Sequence, residues 1–447
     1  MVGPSSTKRP KRRSTSRGGP GGSSVALIDA ARLPFTRAGS EYRDLVAYDL
    51  ARMVIGGLLG RAGLDPAELD MVVMGTVVQN VATSNVARDA ALAAGVPDRA
   101  PAHTVTMACI SSNRAIADAV LAIQAGHAGA ALAGGVEMLG DVPVGFSREV
   151  RRRLFDARRY RTAGQWLEFF RGLPPRELLP KPPAIAEFST GESMGESADR
   201  LAAAFGVTRE EQDAYALRSH RGAVRAQAEG YLAAEIVAVV VPPRSNVVER
   251  DNGVRADTSL EKLAALPPAF VKPFGTVTAG NASPLTDGAA AVLVMDEERA
   301  KADGHSVRAR VRDFTFVAQD PGDELLLGPA YAVPRLLERN GVALADIDVF
   351  EIHEAFAGQV LAVLRALASD AFGREKLGLP GAFGSVDLDK VNPWGGSVSL
   401  GHPFGATGAR LVGTAMHRLE VEEGTLALVT ACAAGGQGHA MLLERVP

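Results

Sequence analysis

Cysteine is scarce in this chain. Only Cys109 and Cys432 occur among 447 residues, which excludes a disulfide-stapled scaffold and leaves two thiols for other work. Free thiols in a reducing bacterial cytoplasm are the expectation. Long apolar runs are missing too: no stretch approaches the roughly 18 residues a membrane-spanning helix needs. Net charge is only −3, so the molecule as a whole has no electrostatic reason to bind nucleic acid. No C-x-x-C pair is present, which argues against a structural zinc site. The first two dozen residues have no apolar segment and do not read as a secretory signal. Residues 1–24, with Pro, Gly, Ser and the basic cluster Lys8 to Arg13, read as a disordered basic tail.

What is present is an ordinary globular balance, 47% hydrophobic and 22% charged, in a chain long enough for two or three packed units. Strand-like VALIDAARLPF opens at Val25, and apolar spacing predicts a helix over 44–62. LDMVVMGTVVQ and AHTVTMA read as β-branched strands, the second ending at Cys109. From Ser111 a helix is expected, with its serines capping the first turn, Ile116, Val120 and Ile123 as its apolar stripe, and Gly126 at its end. AALAGGVEM follows as a strand. Such alternation implies an α/β layered architecture.

One internal repeat is visible. Leu58-Leu59-Gly60-Arg61-Ala62-Gly63-Leu64 through Asp70 returns as Leu336-Leu337-Glu338-Arg339-Asn340-Gly341-Val342 through Asp348. Each copy reads as a helix end, a Gly turn, an acidic loop and an apolar strand, so two similar α/β halves are expected. Residues 25–144, completed by 272–299, form the first and 300–447 the second. Between them, 145–271 has a different composition and reads as an inserted loop domain. Within it, Arg148 to Arg161 carries seven arginines against two acids, followed by Trp166, Phe169 and Phe170. Such a stretch suits a solvated face, an anionic membrane surface, a partner subunit or the phosphates of an acidic substrate.

Chemistry gathers at four residues. Cys109 stands between a strand and a helix N-terminus, where exposed amides favour a thiolate, although a free cysteine is more commonly a small buried hydrophobe. His402 lies in the glycine-rich NPWGGSVSLGHPFGATGAR, which has neither the lysine of a phosphate loop nor the dinucleotide fingerprint. His353 ends the strand of DVFEIHEAFAGQ, and Cys432 lies in TLALVTACAAGGQGHAM. All four are expected where strands stop, the place where open α/β sheets collect active sites. The same residues as a Cys2His2 zinc site lack local ligand pairs, and no metal is expected. The remaining histidines have no comparable context.

VTMACISSNRAIADAV, EIHEAFAGQ, GGSVSLGHPFGATGAR and TACAAGGQGHAM, in that order, closely resemble the thiolases. The resemblance runs from about Val25 to the C-terminus. The HEAF and CAAGGQG variants are similar to the β-subunit of the trifunctional β-oxidation complex and to bacterial 3-ketoacyl-CoA thiolases. This implies a thiolase fold, two halves forming an α/β/α/β/α five-layered sandwich with an inserted loop domain. It implies Cys109 as nucleophile, His402 as its base, and Cys432 as the second acid/base. Its thiol pKa of about 8.5 would allow both protonation states near neutrality. One oxyanion hole is implied at His402 with a water held by His353, and the other at the backbone N–H groups of Cys109 and Ala434. The positions matching coenzyme A contacts are Met194, Ser283, Ala355 and Phe356. Three departures stand out: His353 where many thiolases have Asn, Ala434 where Gly is commonest, and Pro284 where Gly is usual.

The implied reaction is thiolysis of 3-oxoacyl-CoA by CoA to acetyl-CoA and an acyl-CoA two carbons shorter, with coenzyme A as substrate and no permanently bound cofactor. The implied partners are a homo-oligomer, dimer or tetramer, a β-oxidation hydratase/dehydrogenase subunit, and peripheral membrane contact. Three alternatives remain: a biosynthetic acetoacetyl-CoA thiolase, a decarboxylating ketoacyl synthase, and a non-catalytic lipid-binding or scaffold member. Cys432 argues against the synthase, and the intact Cys109, His353, His402 and Cys432 argue against the scaffold.

Overall fold

A computed structural model describes residues 23–183, 186–243 and 245–446; the basic tail expected over 1–24 lies, through residue 22, outside them. Nine strands build the scaffold: β1 (Val25–Arg32), β2 (Met71–Gly75), β3 (Ala102–Val105), β4 (Ala130–Glu137), β5 (Thr286–Asp296), β6 (Ala309–Ala318), β7 (Val349–Ile352), β8 (Leu426–Ala433) and β9 (Gln437–Arg445). The helices that bear on the site are α1 (Ala47–Ala62), α2 (Ser111–Gln124), α3 (Arg148–Ala157), α4 (Ala163–Phe170), α5 (Met194–Ala204), α6 (Arg209–Ala228), α7 (Gly328–Asn340), α8 (Ala357–Leu367) and α9 (Thr407–Val421).

Hydrogen bonds join the strands in the order β7-β8-β9-β6-β1-β5-β4-β2-β3, with the short Thr36–Arg37 strand beside β5. The seam between β6 and β1 is only two residue pairs long, Ala26 with Arg310 and Leu27 with Ala309. The path therefore divides into two sheets of matching pattern. In one, β3, β2 and β4 run parallel and β5 and β1 antiparallel; in the other, β7 and β8 run parallel and β9 and β6 antiparallel.

Side chains alternate across each strand, so each sheet buries two faces. On β4, Ala130, Leu132 and Val136 pack with α1, while Ala131 and Ala133 face α2 and α9. On β8, Leu426 and Leu428 pack with α7 and α8, while Ala427, Val429, Ala431 and Ala433 meet the same α2 and α9. The layers are thus α1, sheet, α2 with α9, sheet, α7 with α8: the expected five-layered sandwich. Sandwiched on both sides, α2 and α9 bury most of their residues, including Ile116, Val120 and Ile123 of α2.

The repeat is structural. Gly63 (φ 63°) and Gly341 (φ 62°) end α1 and α7 in the left-handed region. Leu64 N–H donates to the Leu59 carbonyl and Val342 N–H to the Leu337 carbonyl. A single 3-10 turn follows each, Pro66–Glu68 and Leu344–Asp346. The closing acids do the same work: Asp70 Oδ2 accepts from Gly129 and Ala130 N–H at the start of β4, and Asp348 Oδ2 from Thr425 and Leu426 N–H at the start of β8.

Local expectations fail where long-range contacts intervene. The strand expected through LDMVVMGTVVQ stops at Gly75 because Val77 and Val78 N–H turn to the Glu137 carboxylate. The strand expected to reach Cys109 stops at Val105, and Ala108 takes φ +46°. Ser111 and Ser112 do not cap α2. Ser111 Oγ accepts from Met107 N–H and donates to the Ala108 carbonyl, which closes the turn before the helix. Ser112 Oγ accepts from Ala409 N–H of α9 at 2.9 Å.

Within residues 145–271, α3 and α4 share a small core of Val150, Ala157, Phe169 and Leu173. Farther along, α5 joins the cluster that holds α8 residues, Ala355, Phe356 and Cys432. No helix among the described residues is long and apolar enough to cross a membrane. A non-glycine residue pays about 1–2 kcal/mol in the left-handed region. Gly63→Ala and Gly341→Ala should therefore each lower unfolding stability by about 1 kcal/mol, by nearly equal amounts, in urea titrations.

Candidate active site

The site forms where the N-terminal turns of α2 and α9 meet. Gly408 permits the approach: a Cβ there would lie 2.0 Å from Asn113 Oδ1. Cys109 stands two residues before α2, and its Sγ is 3.2 Å from His402 Nε2. His402 is not at a strand end, as expected, but in the turn between the short helix Ser397–Leu400 and α9. Its N–H donates to the Pro284 carbonyl at 3.2 Å, so Pro284 holds the His402 turn through a group that any residue supplies. His402 Nδ1 is 2.6 Å from Thr407 Oγ1.

His353 directly follows β7, is fully buried, and stacks obliquely on His402 with ring centroids 4.1 Å apart. Its Nδ1 is 2.9 Å from Ser397 Oγ, and its Nε2 has no partner among the described residues. Donor atoms of Cys109, His353 and His402 all lie within 4.8 Å of one another, and the thiol and one imidazole of that group already face each other as a hydrogen-bonded pair. Cys432, near the end of β8, is buried beside Phe356 and Ala355. It lies close enough that charge on Cys109 acts on it. In the turn after β8, the backbone N–H of Ala434 points at the Cys109 sulfur, as does that of Cys109 itself. Ala434 has no positive φ; Gly435 and Gly436 carry that requirement, at +84° and +64°.

Burial governs the charge states. It pushes the Cys109 thiol up to about 12, opposed by the N–H groups of Ala434 and Cys109, which favour the thiolate. Burial, aided by the Arg410 charge, pushes His402 down to about 3. His353 is held well below the ordinary imidazole range by burial, then by His402 and Arg410. The resting pair is neutral thiol and neutral imidazole. Cys432 is raised by burial and then by Cys109, so it rests protonated rather than poised between states.

The four positions matched to coenzyme A contacts gather around the cluster that contains Cys432. Ser283 N–H donates to the Ala355 carbonyl at 3.0 Å, and Ala282 bridges to Phe356. Met194 opens α5 and packs on the cluster containing Ala355, Phe356 and Cys432. Phe270, not expected from sequence, meets Phe356 edge to face at 6.1 Å between centroids.

Several supporting groups escaped sequence reading. The buried Glu137 carboxylate accepts from Val77, Val78 and Gly405 N–H, tying the His402 turn to β4. Burial raises it to about 7 against those bonds. Glu354 accepts from the Tyr215 and Ser219 hydroxyls, the Asn392 side-chain amide and the Val398 backbone N–H around the His353 turn. A lone acid in apolar AGGVEM was the only available signal for Glu137. Of the other histidines, His103 and His127 are exposed. His439 is buried with neither nitrogen bonded.

The family models "Thiolase, N-terminal domain" and "Thiolase, C-terminal domain" match residues 25–298 and 305–445. The chain is 53% identical to the mitochondrial trifunctional enzyme subunit beta of Mus musculus, over 95% of this chain and 88% of that one. It is 45% identical to the 3-ketoacyl-CoA thiolase of Serratia proteamaculans, over 95% and 97%. The crystal structure of human mitochondrial 3-ketoacyl-CoA thiolase in complex with CoA superposes with TM-score 0.81 at 30% identity, covering 95% and 98%.

Buried neutral imidazoles make stability depend on pH. Burial holds His402 and His439 at about 3 in the fold, against about 6.5 in the unfolded chain. Below 6.5 the unfolded chain binds protons the fold refuses, so this stability is complete above 6.5 and is lost as pH falls toward 3. Each such group contributes a slope of about 1.4 kcal/mol per pH unit. In urea titrations across that window, His439→Leu should reduce the slope by about one proton.

Proposed function

The chain belongs to the thiolase family, and from that premise we propose that it is a 3-ketoacyl-CoA thiolase of fatty-acid β-oxidation. It cleaves 3-oxoacyl-CoA with CoA to acetyl-CoA and an acyl-CoA two carbons shorter. The observation that carries this reading is the 3.2 Å contact between Cys109 Sγ and His402 Nε2, beside His353 and with Cys432 close enough to feel the charge on Cys109.

His402 takes the Cys109 proton, and the sulfur attacks the 3-keto carbon. The resulting oxyanion is stabilised by hydrogen-bond donors already in place. The bond between C2 and C3 then breaks, leaving the shortened acyl group on Cys109 and the acetyl-CoA enolate. Cys432, protonated at rest, gives its proton to the enolate carbon. The Cys432 thiolate takes the proton of free CoA, whose sulfur attacks the acyl carbonyl; Cys109 leaves as the thiolate and recovers its proton from His402. The N–H groups of Cys109 and Ala434 suit the oxyanion of this second half. Coenzyme A enters as substrate along Met194, Ser283, Ala355 and Phe356, and no resident cofactor has a step to perform.

We assign the hydratase/dehydrogenase subunit to the outer face of α3 and α4. There Phe155, Trp166, Leu167 and Phe170 are exposed beside Arg148, Arg151 and Arg152. Arg153 is excluded from that face because it bonds Glu149 and the Phe169 and Arg171 carbonyls. The same charge pattern supports peripheral contact with an anionic membrane. The chain itself is expected to assemble as a dimer or tetramer, and its two unpaired thiols suit a reducing cytoplasm.

Intact-protein mass spectrometry after mixing with 3-oxoacyl-CoA should show a mass increment equal to the shortened acyl group, absent in Cys109→Ala. A chain-length series should show turnover beyond the four-carbon substrate; activity confined to acetoacetyl-CoA would reject the β-oxidation assignment in favour of the biosynthetic enzyme. The paired reversal Arg151→Glu with Arg152→Glu should weaken binding both to the hydratase/dehydrogenase subunit and to anionic phospholipid vesicles while thiolysis is retained. Unchanged binding to both would reject this face as the docking site.

A further inference from the structure

Two buried imidazoles share this pocket, and each is bonded through Nδ1 to a hydroxyl. The hydroxyls differ in what else they touch. Thr407 Oγ1 lies 3.1 Å from the Pro403 carbonyl, which can only accept. The Thr407 proton goes there, and its oxygen is left to accept from His402 Nδ1–H. That leaves the His402 lone pair on Nε2, facing the Cys109 sulfur.

Ser397 Oγ lies instead 3.1 Å from Arg410 Nη2, which can only donate. With the oxygen already accepting from the guanidinium, the Ser397 proton has one available acceptor, His353 Nδ1 at 2.9 Å. The reverse arrangement, with His353 donating, would strand a buried hydroxyl proton without a partner, a costly state. His353 therefore carries its proton on Nε2, the nitrogen without a protein partner. Arg410 is itself held in place by the buried Glu351, which also pairs with Arg418.

We propose that Ser397 and Arg410 are positioning residues that hold His353 as the Nε2–H tautomer, opposite to His402, so that one imidazole only donates and its neighbour only accepts. The proposal rests on the thiolysis reading above and deepens it. In the first step the Cys109 S–H bond breaks, its proton goes to His402 Nε2, and the electron pair stays on sulfur. His353 keeps its proton throughout and donates a hydrogen bond toward the oxyanion. A positive guanidinium behind both rings also opposes charging of either at rest, which preserves the division of labour. A single imidazole in the wrong tautomer would present a lone pair to the oxyanion and repel it.

Two measurements test this. In enzyme labelled with ¹⁵N-histidine, long-range ¹H–¹⁵N spectra should show His353 protonated at Nε2 and His402 at Nδ1, each assigned by loss of its signals on substitution. The same tautomer at both positions would overturn the proposal, whatever the enzyme's substrate. The second is a double-mutant cycle with Ser397→Ala and His353→Asn, read as kcat and KM for thiolysis. Loss of a preorganised oxyanion donor typically lowers kcat by about 10²–10³-fold. Ser397→Ala alone, which only disorders that donor, should lower kcat by about 10- to 100-fold, with KM changed by less than about threefold. In the His353→Asn background, where the amide N–H has no tautomer to be chosen, Ser397→Ala should change kcat by less than about threefold. Equal losses in both backgrounds would reduce Ser397 to a packing role. Failure of all four proteins to turn over 3-oxoacyl-CoA would reject the thiolysis reading and leave the tautomer assignment to the spectra.

Discussion

The contact between the first turns of α2 and α9 is the constraint on which the site depends. Both helices lie in the layer shared by the two sheets, so neither can shift without disturbing two cores at once. Gly408 against Asn113, and Ala409 N–H on Ser112 Oγ, bring their N-termini into register. Cys109 precedes one of these turns and His402 the other. A thiol and an imidazole separated by 293 positions in the chain, the proposed nucleophile and its base, are thereby placed at hydrogen-bonding distance by helix packing, not by loop design. The turns themselves are then pinned: Ser111 closes the Cys109 turn, and Glu137 holds the His402 turn through Gly405 N–H.

Burial in this layer sets the electrostatics. Desolvation keeps the thiol, both active-site imidazoles and the second thiol neutral at rest, so the enzyme stores no ion pair that a substrate would have to displace. In the proposed mechanism charge appears only as reaction proceeds, and it appears where backbone N–H groups and, on the tautomer we propose, an imidazole N–H already point. Donors that are rigid before the reaction cost no reorganisation during it, which is where electrostatic catalysis gains most. The Arg410 guanidinium belongs to the same scheme. It is buried with Glu351 and, through Ser397, its direction as a donor is transmitted to a ring nitrogen.

Much of this was legible in the sequence, for a physical reason. The repeat around Gly63 and Gly341 depends on local rules, a left-handed helix end and an acid that binds two amides, and such rules leave a pattern in linear order. So does the apolar stripe of α2. The four motif residues were visible because each stands in an unusual local context and together they resemble a known family. What sequence did not disclose were residues whose role is defined only by distant contacts. Ser111 and Ser112 resemble helix caps but bind Met107 N–H and another helix. Ser397, Thr407 and Arg410 are ordinary members of a glycine-rich stretch until the fold turns them toward two histidines. His402 was expected at a strand end because strands usually deliver site residues in open sheets, whereas here the turn leading into a central helix does.

The two halves are nearly alike, yet they make one site and not two, and sterics explain the asymmetry. Counting from the matched acids Asp70 and Asp348, Gly75 is the counterpart of His353. Strand register makes Val136 the counterpart of Cys432, since Met71 pairs with Ala131 and Val349 with Ala427. At Gly75 a Cβ would lie 2.6 Å from the Ser111 backbone. The first half therefore closes its own strand end against the Cys109 turn and has no room there for an imidazole. The second half leaves that space open, and His353 fills it. Closing one half presses the nucleophile's turn into place, and opening the other admits the groups that act on it. A repeat with equal halves would have had to choose between a rigid nucleophile and a roomy pocket; unequal packing at two equivalent positions supplies both.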